Sequence, residues 1–285
     1  MSDSSKQYRL IDSGHFQKLE SVGPFRFVRP SPQAVWRPKL DEKHWKNVDA
    51  IYKRFPGGDG KWTVYNKKLP SAWVIDFEGQ KFQLKRTDFG HLGVFVEQDS
   101  NWKKMRQLCE PGMSVLNLFG YTGGSTLAAA MGGAKVCHVD ASKTSVAWAR
   151  ENADLNRLSD HPIRWIIDDV RKFVSREIKR GSTYHGIILD PPTFGRGSKN
   201  EVWKIEDHLP SLLDDLSRIL YSDFRFVLLT SHSPGYTPLA MKNNLLEMLG
   251  DCEGSFELEE MSVPEYNSNR VLPSGASTLF IPTRS

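Results

Sequence analysis

The chain has 285 residues, 39% hydrophobic and 25% charged, enough for one large globular domain of roughly 190 residues and a smaller N-terminal region. The formal charge is +4, but Lys and Arg number 20 against 13 Asp and Glu over residues 1–110, and 18 against 21 over 111–285, so the positive excess sits in the N-terminal part. No run approaches the ~18 apolar residues of a membrane helix, the first ten residues are polar, and Cys109, Cys137 and Cys252 are dispersed, so the expectation is no membrane, no metal and a reducing, cytoplasmic setting.

In the N-terminal region Arg26, Arg29, Arg37, Lys53 and Arg54 are interleaved with Phe25, Phe27, Trp36, Tyr52 and Phe55. Individually the aromatics are expected to pack a small domain. The basic face as a whole suits nucleic acid, because phosphates need cations and unpaired bases stack on flat rings. Phe55 to Lys61, with three glycines and a proline, reads as a flexible turn. Trp73 to Val96 reads as a β-hairpin turning at Glu78-Gly79.

Val115 to Phe119 is an apolar run without helical spacing, followed by Gly120-Tyr121-Thr122-Gly123-Gly124 and an Ala-rich segment from Ser125 to Met131. This predicts strand, tight turn and helix, with glycines where a ligand approaches the main chain. The second strand, Lys135 to Val139, ends in Asp140, about twenty residues on, where a carboxylate can accept both ribose hydroxyls. The G-x-x-G-G spacing departs from the G-x-G-x-x-G of dinucleotide turns and suits a nucleoside cofactor without pyrophosphate. The third strand, Ile163 to Ile167, finishes in Asp168-Asp169; one carboxylate can take the exocyclic amine of adenine, and one can cap the helix beginning near Arg171.

The fourth strand, Tyr184 to Leu189, runs into Asp190-Pro191-Pro192-Thr193-Phe194. The prolines stop the strand and hold an extended loop at the crevice where doubly wound sheets bind ligands, and Phe194 is placed to stack on a flat target. Further helices are expected from Ser142, as N-cap, to Leu155, from Arg171 to Lys179, from Glu201 to Leu220 with a break near Pro210, and from Leu239 to Leu249. The fifth strand is Phe226 to Thr230, and Phe256 to Val263 with Thr278 to Pro282 read as a closing pair.

Asn117 to Gly123, Val139-Asp140-Ala141-Ser142, Asp190 to Phe194 and the upstream Gly93 to Gln98 together resemble class I S-adenosylmethionine-dependent methyltransferases, and within them the bacterial 23S ribosomal RNA methyltransferases, from about Trp73 to the C-terminus. The resemblance implies a Rossmann-like α/β fold, with a mostly parallel seven-stranded sheet, an antiparallel last strand and a small β-rich N-terminal region. It divides the chain into 1–72, a linking hairpin 73–98 and a catalytic domain 99–285. It implies S-adenosyl-L-methionine held by Phe95, Gln98, Asn117, Phe119, Gly120, Tyr121, Thr122, Gly123, Asp140, Ala141, Ser142, Asp168, Asp169 and Asp190. The transfer site would comprise Asp190, Pro191, Pro192 and Phe194. Where the family often has Asp-Gln-Arg, this chain has Glu97-Gln98-Asp99, so no arginine contact carries over.

Thr193, Arg196, Lys199 and His232 are candidate substrate contacts, the two cations for a phosphate beside the target and His232 as a base for an amino target. A cytosine-C5 reaction needs a thiolate at the pocket, yet the segment after the fifth strand reads Ser231-His232-Ser233 and no cysteine falls at the expected pocket edge. The guanine-N7 branch, whose ring nitrogen attacks directly once positioned, is therefore the closer expectation, with 23S ribosomal RNA as partner. Methylation of a protein side chain or small molecule, and non-catalytic RNA binding, are the competing readings.

Overall fold

The computed structural model describes residues 8–55, 60–196 and 201–283; the turn expected from Phe55 to Lys61 therefore lies in part outside the described residues. Two compact units emerge, one of Met1–Glu97 with Ser262–Ser274, the other of Gln98–Met261 with Gly275–Ser285. The expected boundaries at 72 and 98 differ from this division in two ways. The hairpin belongs with the N-terminal strands, and residues 262–274 return to the first unit, where Leu10 bridges Glu265 and packs with Val263 and Leu272.

In the first unit β1 (Tyr8–Gly14), β2 (Gln17–Val22), β3 (Phe25–Pro30), β4 (Ala50–Arg54) and β5 (Gly60–Val64) form one sheet in sequence order. Only β3 and β4 run parallel, their crossover containing the short helix α1 (Glu42–Lys46). The hairpin of β6 (Ala72–Phe77) and β7 (Gln80–Lys85) turns at Glu78-Gly79, both with positive φ, as a two-residue hairpin turn requires. It ends at Lys85 rather than Val96, because Gly90 and Gly93 take positive φ and pull residues 86–95 out of strand geometry. Trp73 stacks on Phe27 at 5.6 Å and Phe27 meets Trp62 edge-on, so these aromatics are core.

The second unit runs α2 (Asp99–Leu108), β8 (Ser114–Leu118), α3 (Gly124–Met131), β9 (Lys135–Asp140), α4 (Lys143–Leu155), β10 (Ile163–Ile167), α5 (Val170–Arg180) and β11 (Gly186–Leu189). Then follow β12 (Phe194–Arg196), β13 (Val202–Lys204), α6 (Ile205–Ser217), β14 (Phe226–Ser231), α7 (Pro238–Leu249), β15 (Gly254–Pro264) and β16 (Val271–Pro282). The seven-stranded sheet has the order β10-β9-β8-β11-β14-β16-β15, parallel through β14 and antiparallel at β16. This is the expected Rossmann-like α/β arrangement. Buried β11 and the first four residues of β14 read as continuous apolar runs, whereas edge strand β10 is half exposed.

Two expected elements differ. Residues 202–204 form β13, paired with β12 so that Phe194 faces Lys204, and the helix begins only at Ile205. It continues through Pro210, whose missing N–H leaves the Glu206 carbonyl on an exposed face where water can serve it. Tyr184 stands outside β11, held by an isolated bridge to Leu220.

Candidate active site

Parallel pairing aligns the carboxyl ends of β8, β9, β10, β11 and β14, since Leu118 pairs Leu189, Leu189 pairs Leu229 and Ile167 pairs Asp140. The strand order reverses about β8, and the crevice beside such a reversal is where open α/β sheets bind ligands. After β8 the chain turns through Phe119 and Tyr121, both at positive φ, and Gly123 at φ +92 caps α3. A non-glycine residue in this region costs on the order of 1–3 kcal/mol and persists only where surroundings dictate it. Here they do. Tyr121 N–H donates to Asp140 Oδ2 at 2.9 Å, Gly120 N–H to the Val139 carbonyl at 3.1 Å, and the Phe119 ring lies against Trp203. A Cβ at Gly120 would sit 2.5 Å from the His138 ring, so close packing as well as ligand approach demands glycine.

Beneath the turn, buried Asn117 donates to Thr126 Oγ1, which also meets His138 Nδ1, both at 2.8 Å. Burial pushes His138 down to about 3, so it is a neutral wall of the loop. Asn152 on α4 donates to the Thr122 carbonyl at 2.9 Å. Asp140 accepts at Oδ1 from Ser142 N–H at 2.8 Å, and Ser142 Oγ caps α4. Ala141 lies between these two anchors. Each Asp140 oxygen thus accepts one amide and keeps a lone pair for a ribose hydroxyl. Burial raises its carboxyl above the usual value despite the two amides.

Asp168 donates its N–H to the Asp140 carbonyl at 3.1 Å and its side chain pairs with Arg176 on α5. Asp169 is the N-cap of α5, accepting from Lys172 N–H at 3.1 Å. The expected division of these two acids therefore assigns the capping role to Asp169.

Asp190, at the end of β11, accepts at Oδ2 from Gln98 Nε2 at 3.2 Å, and its Oδ1 lies 3.4 Å from His232 Nδ1. That Oδ1 is enclosed by the protein without an aligned hydrogen-bond donor, its nearest partner being the His232 charge contact, while the side chain as a whole stays 30% exposed. Burial opposes its ionisation, but His232, Thr230 and Gln98 outweigh it and hold the carboxyl below the usual range. Gln98 also donates to Thr230 at 3.2 Å and accepts from Asn101 Nδ2 at 2.8 Å, while Asn101 accepts from Ser277 Oγ at 2.8 Å. Because the amide of Gln98 can present either end, this chain decides that its NH2 faces Asp190. Thr230, Asn101 and Ser277 were not singled out in the sequence: they lie far apart in the chain and carry no motif.

Pro191 and Pro192 follow Asp190; the Pro192 carbonyl accepts from Trp203 Nε1 at 2.7 Å, and Thr193 Oγ1 shares a 2.6 Å hydrogen bond with Ser233. Phe194 is 52% exposed, with Arg196 over its ring at 5.9 Å. Lys199 lies outside the described residues. Phe95 belongs to the first unit, where its ring meets His91 edge-on at 5.2 Å. Of the expected residues, those from Asn117 to Gly123, Asp140 to Ser142, Asp168, Asp190, Thr193 and His232 thus gather at the aligned strand ends, and Gln98 joins them through Asp190.

The family model described as S-adenosylmethionine-dependent methyltransferase matches residues 51–221, and the chain belongs to that family. A solved S-adenosylmethionine-dependent methyltransferase from Agrobacterium tumefaciens is 39% identical, with 99% of this chain and 92% of that one covered, at a TM-score of 0.92. A methyltransferase solved with SAH shares the fold at 20% identity and a TM-score of 0.78, covering 98% of this chain and 76% of its own. A ribosomal RNA large subunit methyltransferase K/L of Alteromonas mediterranea is 37% identical over 172 residues, which are 59% of this chain but 24% of that protein. The chain thus spans about a quarter of that relative's length.

S-adenosylmethionine is the cofactor, and the residues fit it: a glycine-bearing turn at the strand ends and, on each Asp140 oxygen, a lone pair left for a ribose hydroxyl. Bound there, it supplies an electrophilic methyl group.

Proposed function

We propose that this methyltransferase modifies a base nitrogen of RNA, most specifically of 23S ribosomal RNA, in the cytoplasm. The observation that carries the reading is Asp190, a half-buried carboxylate held in its charged form at the end of β11, followed four residues on by an exposed Phe194. Asp190 accepts an N–H of the target and Phe194 stacks its ring, which together hold the nitrogen lone pair in line with the methyl. Little else is required, because a ring nitrogen needs no prior activation. For an amino target, His232 is placed to receive the proton released.

The thiol chemistry a cytosine-C5 reaction needs is opposed by the cysteines' surroundings. Burial pushes Cys109 up to about 12 and Cys137 up to about 11, so neither is a thiolate at neutral pH. Free thiols throughout also support a reducing compartment. The name of the Alteromonas relative supports a ribosomal substrate, as does the basic N-terminal region.

The test is transfer of labelled methyl from S-adenosylmethionine to total RNA and protein of cells lacking the gene, with mass spectrometry of the digests. Label in a modified guanosine of 23S RNA is expected. Label in 5-methylcytidine would overturn the nitrogen assignment, and label confined to protein or small molecules would overturn the RNA reading.

A further inference from the structure

A cavity of about 140 Å³ opens within the first unit, walled in part by Tyr52, Phe89, His91 and Phe95 and edged by Lys18 and Arg54. We propose that it holds one unstacked base of the RNA substrate, with a neighbouring phosphate on Arg54; this rests on the RNA reading above. The volume suits a single ring system, since a cavity of roughly 150 Å³ accommodates benzene. A whole nucleoside does not fit, which leaves sugar and phosphate at the exposed rim where Arg54 lies.

The loop bearing Phe89 is built rather than loose. Tyr52 Oη donates to the Asp88 carbonyl at 2.7 Å, Arg29 Nη1 to the Gly90 carbonyl at 3.0 Å, and His91 N–H to Thr87 Oγ1 at 3.0 Å. Gly90 has φ +81, and a Cβ there would enter the Tyr52 ring at 2.4 Å. These restraints hold Phe89 with 70% of its surface exposed, an apolar ring offered to solvent on a fixed loop. Such a ring suits base stacking, which tolerates any base.

The polar wall fits as well. Burial, then the charges of Arg29, Arg54 and Lys18, push His91 down to about 4, so at neutral pH its ring is uncharged, with one N–H and one lone pair for a base edge. Buried Glu20 pairs with Arg29 and Lys18, and Glu97 also lines the cavity, so two carboxylates face these two cations while exposed Arg54 remains for phosphate.

The test uses Phe89→Ala and Arg54→Ala in the full chain, both at exposed positions, with cofactor affinity as the control for folding. Binding of a fluorescein-labelled short single-stranded RNA is expected to weaken roughly tenfold in the first variant. In the second, the slope of log affinity against log salt is expected to fall by about one. Wild-type binding by both variants would overturn the proposal, as would displacement of the RNA by inorganic tripolyphosphate at matched concentration. Methyl transfer is read separately. Absence of transfer to RNA with Phe89-dependent binding intact would overturn the proposed function and leave the cavity's role standing. Transfer with unchanged KM in both variants would overturn the cavity's role and leave the function.

Discussion

At the scale of single residues the site depends on carboxylates whose surroundings assign them different work. Asp140 spends one lone pair of each oxygen on loop amides and keeps the other, so Asp140→Ala should lose both ribose contact and turn geometry. A fall in cofactor affinity of at least about tenfold is expected by calorimetric titration, the scale of one charge-assisted hydrogen bond. Affinity equal to wild type would remove the ribose assignment. Asp190 has the opposite bias. Gln98, Thr230 and His232 favour its charged form, and Asn101 sets which end of Gln98 it meets. Asn101→Leu leaves that amide free to reverse, so kcat is expected to drop and its acid limb to move to higher pH, with cofactor affinity nearly intact. An unmoved acid limb in a stopped-assay pH profile would show that Asn101 does not act through Asp190. Phe194→Ala should likewise lower turnover without touching cofactor affinity.

At the scale of elements, strand ends and helix starts meet at one edge of the sheet, where Ser142 and Asp169 cap helices and their neighbours are the proposed ligand contacts. Asp169 caps α5, so Asp169→Ala should cost about 1 kcal/mol in urea denaturation while cofactor affinity stays unchanged. A large loss of affinity instead would return Asp169 to the adenine contact. The β8 turn is judged by packing. Gly120→Ala forces the His138 ring aside in a close-packed interior, with an expected loss of about 1–3 kcal/mol in the same measurement. The pairing of β12 with β13 fixes the backbone at Phe194, so the residue proposed to stack on the target sits on a paired strand.

Across the whole molecule, buried titratable groups set the response to acid. His138 stands near 3 when folded against an ordinary 6.5, so the unfolded chain binds the extra proton between those values. Its contribution is complete above pH 6.5 and falls by about 1.4 kcal/mol per pH unit on acidification toward 3. Glu20, buried among Arg29, Lys18 and Tyr8, is held at about 2, so its contribution is present above about 4.5 and lost as pH falls toward 2. Stability by urea midpoint should decline already between pH 6.5 and 5. His91, held near 4, adds to this decline, so a flat profile over that interval would show that both imidazoles are protonated in the folded state.

The amino-acid sequence by itself determined the order of strands and helices from Val115 onward apart from β12 and β13, the glycine turn after Leu118, the acids at Asp140, Asp168 and Asp190, and the basic, aromatic character of the first hundred residues. These are legible because periodicity, turn chemistry and strand-end acids are local patterns. Only the tertiary structure decided that Asp169 caps while Asp168 pairs with Arg176, that Trp73 and Phe27 serve the core, and that residues 262–274 complete the N-terminal unit. Only it joined Ser277, Asn101, Gln98 and Asp190 into one hydrogen-bonded line. Their partners lie up to 176 residues apart, and such contacts arise from sheet order and packing, which no local pattern encodes.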